Sequence, residues 1–148
     1  MIFTLEKIST VWPEAQEILK ANNEETGMLG QENFDPDVDK YLAMEAIGIA
    51  KLFTARAEGK LVGYCMMLVM PHPHYKKTVV AFQDVLFMVS ERRGIGSVRF
   101  IKWIDEFCRS LGADNISRTV SSKKDFSRTL LRMGYEEVET SYVRRCHE

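Results

Sequence analysis

Val79-Val80-Ala81-Phe82-Gln83-Asp84-Val85-Leu86-Phe87-Met88-Val89 leads into Ser90-Glu91-Arg92-Arg93-Gly94-Ile95-Gly96-Ser97, and the organisation of the whole chain is read from this stretch and its continuation to Leu111. The opening run is almost continuously apolar and bounded by a turn, which predicts a buried strand. The residues from 97 to 111 place apolar side chains at helical spacing and stop at Gly112, which predicts an amphipathic helix. Between them a turn with two arginines and two glycines opens the helix. A helix N-terminus presents unpaired N–H groups and a partial positive charge, and glycine lets a backbone come close to a phosphate. The turn is read as an anion site; the alternative is a plain solvated turn with glycine caps.

The bulk properties bound what surrounds this stretch. A chain of 148 residues is read as one domain, 1–148. It is long enough to bury about 70% of its unfolded surface without a disulfide or metal staple. Hydrophobic residues make up 45% and charged residues 28%, as in an ordinary globular protein. A net charge of −1 argues against a general polyanion-binding surface. Arg92, Arg93, Arg99 and Lys102 form a local basic set, but nucleic acid is not the expected partner. Cys65, Cys108 and Cys146 are odd in number, widely spaced and without a CxxC pair, which suits reduced thiols in a cytoplasmic protein. The N-terminus lacks the pattern of a signal peptide, and no run reaches the roughly 18 to 20 apolar residues that cross a membrane.

Taken in order, Ile2 to Ile8 reads as a strand, and a helix follows with Ser9 or Thr10 as cap, Pro13 in its first turn and Asn22-Asn23 at its end. Residues 21–39 carry Glu24, Glu25, Glu32, Asp35, Asp37 and Asp39 without any Lys or Arg. A second helix is expected from Asp37 to Ile47. Lys51 to Ala57 and Leu61 to Met70 read as a hairpin around Glu58-Gly59-Lys60. Pro71-His72-Pro73-His74-Tyr75 is expected to be a loop, because proline cannot continue a central strand. The strand 79–89 completes an antiparallel meander. Asn115 to Val120 reads as a strand parallel to it across the crossover helix. Ser122 and Asp125 suggest a capping box for a last helix, 123–133, which Gly134 stops. Glu137 to Arg145 reads as a final strand. The resulting order, β-α-α-β-β-β-α-β-α-β, is an α+β sandwich around one mixed sheet.

That order, together with Leu86–Ser97 and with Leu131-Arg132-Met133-Gly134-Tyr135-Glu136, resembles the GNAT family (Gcn5-related N-acetyltransferases) over essentially the whole chain. In detail it is most similar to small GNATs encoded by bacteriophages. The family motif, Gln/Arg-x-x-Gly-x-Gly/Ala, fits two registers here. Anchored on Gly94 and Gly96 it puts Glu91 at the first position; started at Arg92 it ends at Ser97 and loses its middle glycine. The resemblance implies a three-layer GNAT-like sandwich and acetyl-CoA as co-substrate. It implies that Arg92, Arg93, Gly94, Ile95, Gly96 and Ser97 hold the pyrophosphate. It also implies that backbone groups of Phe87, Met88 and Val89 pair with the pantetheine arm where the fourth and fifth strands part.

An amine must be neutral to attack, so the acceptor side needs a base. Asp84, mid-strand, is the first candidate, directly or through a water; burial among apolar neighbours is expected to raise its pKa. A buried aspartate held by backbone donors for structural reasons is the alternative. His72 and His74 are the second candidates, set against two exposed loop histidines. The HxH pair has no third ligand nearby, and no metal is expected. The family's usual acid, a tyrosine four residues before the last-helix glycine, falls on Leu130. The acidic segment 21–39 would line the acceptor site and favour a cationic amine, as a small molecule or a protein lysine, or would be a solvated loop. The activity implied is transfer of an acetyl group to a primary amine. The alternative is a non-catalytic module that binds CoA or a protein partner, such as a phage effector or virion component. A homodimer formed through the edge 137–145 is also expected.

Overall fold

A computed structural model describes residues 1–27 and 33–147. Its sheet has five strands: β1 (Ile2–Glu6), β2 (Ala50–Ala57), β3 (Lys60–His72), β4 (Tyr75–Met88) and β5 (Asn115–Ser117), in that spatial order. The first four are antiparallel neighbours, and β5 is parallel to β4. The sheet is therefore mixed and the fold α+β, as the element order predicts. The β2–β3 hairpin closes through Glu58 and Gly59 with φ of 53° and 78°. Two positive φ values match the twist of a two-residue hairpin, and glycine takes the second at no steric cost.

Helices cover both faces. α1 (Ile8–Val11), α2 (Gln16–Thr26) and α3 (Val38–Ala46) lie on one side. There Ile8, Val11, Ala15 and Ile18 pack on Ala50, Leu52, Leu61, Tyr64, Met66 and Phe87. α4 (Ile95–Ser110) lies on the other, where Phe100, Ile104 and Cys108 meet Phe53, Cys65, Met67 and Ala81. Their spacing of four residues forms one stripe along α4, which is why that helix is amphipathic. The connection from β4 through α4 to β5 is the expected crossover.

Five expectations are corrected. The first helix does not run unbroken: α1 passes into a single 3₁₀ turn, Trp12–Glu14, at Pro13. Nor does its continuation end at Asn22-Asn23. The Asn22 amide donates to the Tyr64 hydroxyl at 2.9 Å and its Oδ1 accepts from Thr26 at 3.0 Å. With its side chain so engaged it does not compete for the backbone, and α2 continues to Thr26. Pro71 and His72 belong to β3 rather than to a loop. The β2 pairing ends at Ala50↔Leu68, so β3 outruns β2 and Pro71 faces a missing neighbour on that side, where no N–H is needed. The last helix shortens to α5 (Ser127–Arg132), because Asp125 Oδ1 accepts the Ser127 N–H at 2.8 Å and holds a turn before it. The expected strand 137–145 is not formed; that stretch carries no regular structure.

The outer end of the sheet is fastened by charge. Arg56 bonds Glu6 at 2.9 Å and Glu14 as well, while the Thr54 hydroxyl also donates to Glu6. The Arg56 guanidinium beside Glu6, joined by Thr54 and opposed by burial, holds that carboxyl below the usual carboxylate range. A depressed acid stabilises the fold above its unfolded pKa, about 4.3, and that stabilisation is lost as pH falls through the lower folded value. Glu6→Gln is therefore expected to cost roughly 1–2 kcal/mol at pH 7 and much less at about pH 3. Urea unfolding of both proteins at the two pH values checks this; an equal gap at both would contradict it.

Candidate functional site

The site starts from an irregularity in β4. Met66 pairs with Val85 and Met67 with Gln83, so Asp84 has no partner in β3 and forms a β-bulge. The bulge reverses the alternation of the strand. Ala81 faces α4 before it; Leu86 and Met88 face α4 after it. Asp84 and Val85 thus both turn toward the face carrying α1–α3. Pairing with β5 stops close by, at Phe82↔Ser117. From Asp84 onward, no strand among the described residues lies beside the β5-facing side of β4.

Asp84 is exposed, not buried, so the desolvation expected of a mid-strand aspartate does not apply. The Tyr41 hydroxyl donates to its Oδ2 at 2.5 Å. Burial first, and the Asp84 carboxylate second, push the Tyr41 phenol up, so it remains a neutral donor. The pair opens onto a cavity of about 600 Å³, lined also by Asn23, Phe34, Asp35, Asp37, Lys40, Met44 and Leu68. Asp35 and Asp37 bring part of the acidic segment to this wall. Lys40 stands among them and offsets part of their charge. Asp37 also caps α3, accepting the Lys40 N–H at 3.0 Å. Glu32 of that segment lies outside the described residues.

The two histidines do not join this group. His72 pairs with Tyr75 at the far tip of the β3–β4 hairpin, five residues along β3 from Met67. At about 3.4 Å per residue that is roughly 17 Å from the level of Asp84. His72 Nδ1 accepts the His74 N–H at 3.0 Å, and His72 lies 5.9 Å from the Phe82 ring, centroid to centroid. Among the described residues no three His, Cys, Asp or Glu side chains converge as metal ligands would.

At the other end of the bare β4 edge lies the Arg-Gly turn. Gly94 precedes α4 with φ 74° and ψ −121°, a conformation that disfavours any side chain. Among the described residues no side chain caps α4, and a helix's first-turn N–H groups have no partner within the helix. Arg92, Arg93, Arg99 and Gly96 line a hollow of about 260 Å³, walled by Met1 and Phe3. The arginines differ in state. Arg93 is engaged: its Nε donates to the Met88 carbonyl at 2.8 Å, and one terminal nitrogen donates to both Glu25 oxygens at 2.8 and 2.7 Å. It also lies 5.4 Å over the Phe87 ring. Arg93 thus locks α2 to the end of β4. Arg92 is exposed, with no ion-pair partner among the described residues. Ser97 Oγ lies 3.6 Å from Met88 Sδ, and Ile95 is 79% exposed. Phe87 and Met88 are buried on opposite faces; the Met88 carbonyl accepts from Arg93, and the Val89 N–H donates to the Val62 carbonyl at 2.9 Å.

Beside the point where β4 and β5 part is a buried polar network that sequence reasoning missed. The Arg118 side chain is wholly buried. It donates to Gln83 Oε1 at 2.9 Å, to Asp105 Oδ1 at 2.5 Å and to the Tyr135 hydroxyl at 2.8 Å. Tyr135 donates in turn to Asp105 Oδ2 at 2.8 Å, and Gln83 donates to the Thr119 carbonyl at 2.9 Å. Burial, opposed by Arg118, pushes the Tyr135 phenol up to about 12. Leu130, at the usual acid position, is a buried apolar side chain. Burial also lifts the Cys65 thiol to about 12 and Cys108 to about 11, so both remain thiols.

Comparison with known proteins agrees with this geometry at the level of fold. No protein-family model matches the sequence, and no curated protein matches it. Solved structures do. The chain is similar to a ribosomal-protein-alanine N-acetyltransferase from Brucella melitensis biovar Abortus 2308, with TM-score 0.72 and 17% identity over 98% of this chain and 99% of that one. It is similar to an aminoglycoside acetyltransferase from an uncultured soil metagenomic sample, solved with sisomicin, with TM-score 0.71 and 15% identity over 99% and 95%. It is also similar to glucosamine-6-phosphate N-acetyltransferase from Arabidopsis thaliana, with TM-score 0.70 and 13% identity over 99% and 100%. The chain has the fold of these GNAT acetyltransferases over its whole length.

Proposed function

We propose that the chain is an acetyl-CoA-dependent N-acetyltransferase that acts on a primary amine. The observation that carries this reading is the bare edge of β4 between the Asp84 bulge and the uncapped start of α4. An extended amide-bearing arm can add to such an edge as a strand would, with its phosphates at the helix N-terminus and its thioester at the bulge. Phe87, Met88 and Val89 supply the backbone groups. Gly94, Ile95, Gly96 and Ser97 supply the N–H donors, and Arg92 supplies free charge. Arg93 acts through position, holding the turn against Glu25.

The acceptor enters from the 600 Å³ cavity. Its three carboxylates, Asp35, Asp37 and Asp84, outnumber Lys40 and favour a cationic amine, either a small molecule such as an amino sugar or polyamine, or a protein lysine. Tyr41 holds Oδ2 of Asp84, which leaves Oδ1 to take the amine proton directly or through a water. The amine nitrogen then bonds to the thioester carbon, the C–S bond breaks, and the thiolate takes its proton from solvent. A thiol pKa near 8.5 makes that departure feasible without a dedicated acid, which suits a leucine at position 130. The signature in residues 86–97 and 131–136 and the thiol cysteines extend the reading to a cytoplasmic enzyme of the kind bacteriophages encode.

Two measurements test it. Calorimetry is expected to show acetyl-CoA binding, weakened roughly tenfold or more by Arg92→Glu. Absence of binding at about 1 mM would overturn the reading, and an unchanged affinity in the variant would place the phosphates elsewhere. Asp84→Asn is expected to lower kcat for amine-dependent CoA release by about 10²–10⁴ with acetyl-CoA affinity unaltered. Equal turnover would remove Asp84 as the base. Binding without turnover on any polyamine, aminoglycoside or lysine peptide would favour the non-catalytic CoA-binding module.

A further inference from the structure

The β3–β4 hairpin projects beyond its neighbours. β2 pairs with β3 no further than Leu68, and β5 pairs with β4 only from Val80 to Phe82, so residues 70–78 stand out from the sheet as an arm. At its tip His72 pairs with Tyr75, and the next pair is Pro71 with Val79; Lys76, Lys77 and Thr78 fall between them without a partner in β3. Both lysines are exposed, and neither has an ion pair among the described residues. Tyr75 is 65% exposed, and its ring lies 5.1 Å from that of His72 and 6.5 Å from that of His74, centroid to centroid. No acidic residue occurs from Gly59 to Gln83. The carboxylate at the root of the arm, Asp114, accepts the Val79 N–H at 2.9 Å. The arm is therefore a basic, aromatic projection on a chain whose net charge is −1.

The arm and the cavity over Asp84 share one face of the sheet. Leu68 lines that cavity and packs on the α1–α3 side. Alternation puts Met70 of β3 and Phe82 of β4 on the same face, with Leu68 in register with Phe82 and Met70 with Val80. The His72 ring, 5.9 Å from that of Phe82, continues the row. A half-buried apolar track, Leu68, Met70 and Phe82, thus leads from the carboxylates Asp35, Asp37 and Asp84 towards the two lysines, over roughly 17 Å. Its two ends are opposite in charge. A polyamine has no anion to offer the arm, an amino sugar does not span the distance, and a nucleic acid would set its phosphates against three carboxylates. An extended polypeptide can satisfy both ends at once. We infer that the acceptor is a lysine of a protein segment that carries acidic side chains roughly five residues from that lysine. The lysine enters the cavity over Asp84, the backbone follows the apolar track, and the acidic side chains meet Lys76 and Lys77. This names the acceptor class of the transferase proposed above and rests on that reading.

Fluorescence anisotropy of a labelled peptide with the full chain tests this. The peptide has a central lysine and a pair of glutamates roughly five residues away on each side, in a Ser-Gly background. It is expected to bind at least about fivefold more tightly than the same peptide with glutamine for glutamate, and than the one with acetyl-lysine for lysine. Lys76→Glu combined with Lys77→Glu is expected to abolish the first preference and keep the second, while Lys76→Arg combined with Lys77→Arg keeps both. Both positions are exposed, and circular dichroism verifies that the variants remain folded. Equal affinity for the glutamate and glutamine peptides overturns the inference. So does a glutamate preference that survives the charge reversal, or equal affinity for the lysine and acetyl-lysine peptides. A single-stranded oligonucleotide that binds more tightly than the glutamate peptide would assign the arm to nucleic acid and overturn it as well. Affinity is read without turnover, so a chain that shows both preferences but releases no CoA counts against the transferase and not against this peptide surface.

Discussion

Backbone N–H and C=O groups inside a sheet have to find partners, and β4 leaves a run of them without a strand alongside. Two features create that run. The bulge at Asp84 turns the strand, and β5 pairs only as far as Ser117. Asp84 and Tyr41 stand at one end of this edge, over the cavity of about 600 Å³; the start of α4 stands at the other. The two packed faces, closed by α1–α3 and by α4, keep the edge rigid while leaving it open.

The parting of β4 and β5 has to be stabilised once the ladder ends, and the Arg118 network does this. A buried guanidinium is costly unless its donors are met, and here Gln83, Asp105 and Tyr135 meet them. Gln83 also reaches across to the Thr119 carbonyl, a side-chain bond where the backbone ladder has stopped. The network ties β4, the chain after β5, α4 and the chain after α5 to one point. Arg93 plays a similar part at the other end, joining Met88, Phe87 and Glu25. Arg93 is held by these contacts, while Arg92 beside it is exposed with no ion-pair partner among the described residues.

Much of the fold was legible because its signals are local. Phe100, Ile104 and Cys108 repeat every four residues, Glu58-Gly59 marks a hairpin, and the crossover from 79 to 117 dictates a parallel pair. What was not legible depends on partners distant in sequence. A bulge is a mismatch between two strands; in one strand it left only the trace of two adjacent polar residues, Gln83-Asp84. Pro71 reads as a strand breaker until β2 is seen to end before it. The pairing of Arg118 with Asp105 and Tyr135 has no local spacing to announce it. The strand read at 137–145 is not formed, because a pattern of alternation within one segment does not supply a neighbour to pair with.

The central claim is that the bare β4 edge and the start of α4 together bind the acetyl donor. An NMR titration of the ¹⁵N-labelled chain with acetyl-CoA tests it most directly, because amide shifts report on backbone contacts residue by residue. The account predicts the largest shifts in two groups, Asp84 to Val89 and Gly94 to Ser97, with little change at the His72–Tyr75 tip. Saturable shifts centred elsewhere, with both groups silent, would contradict it.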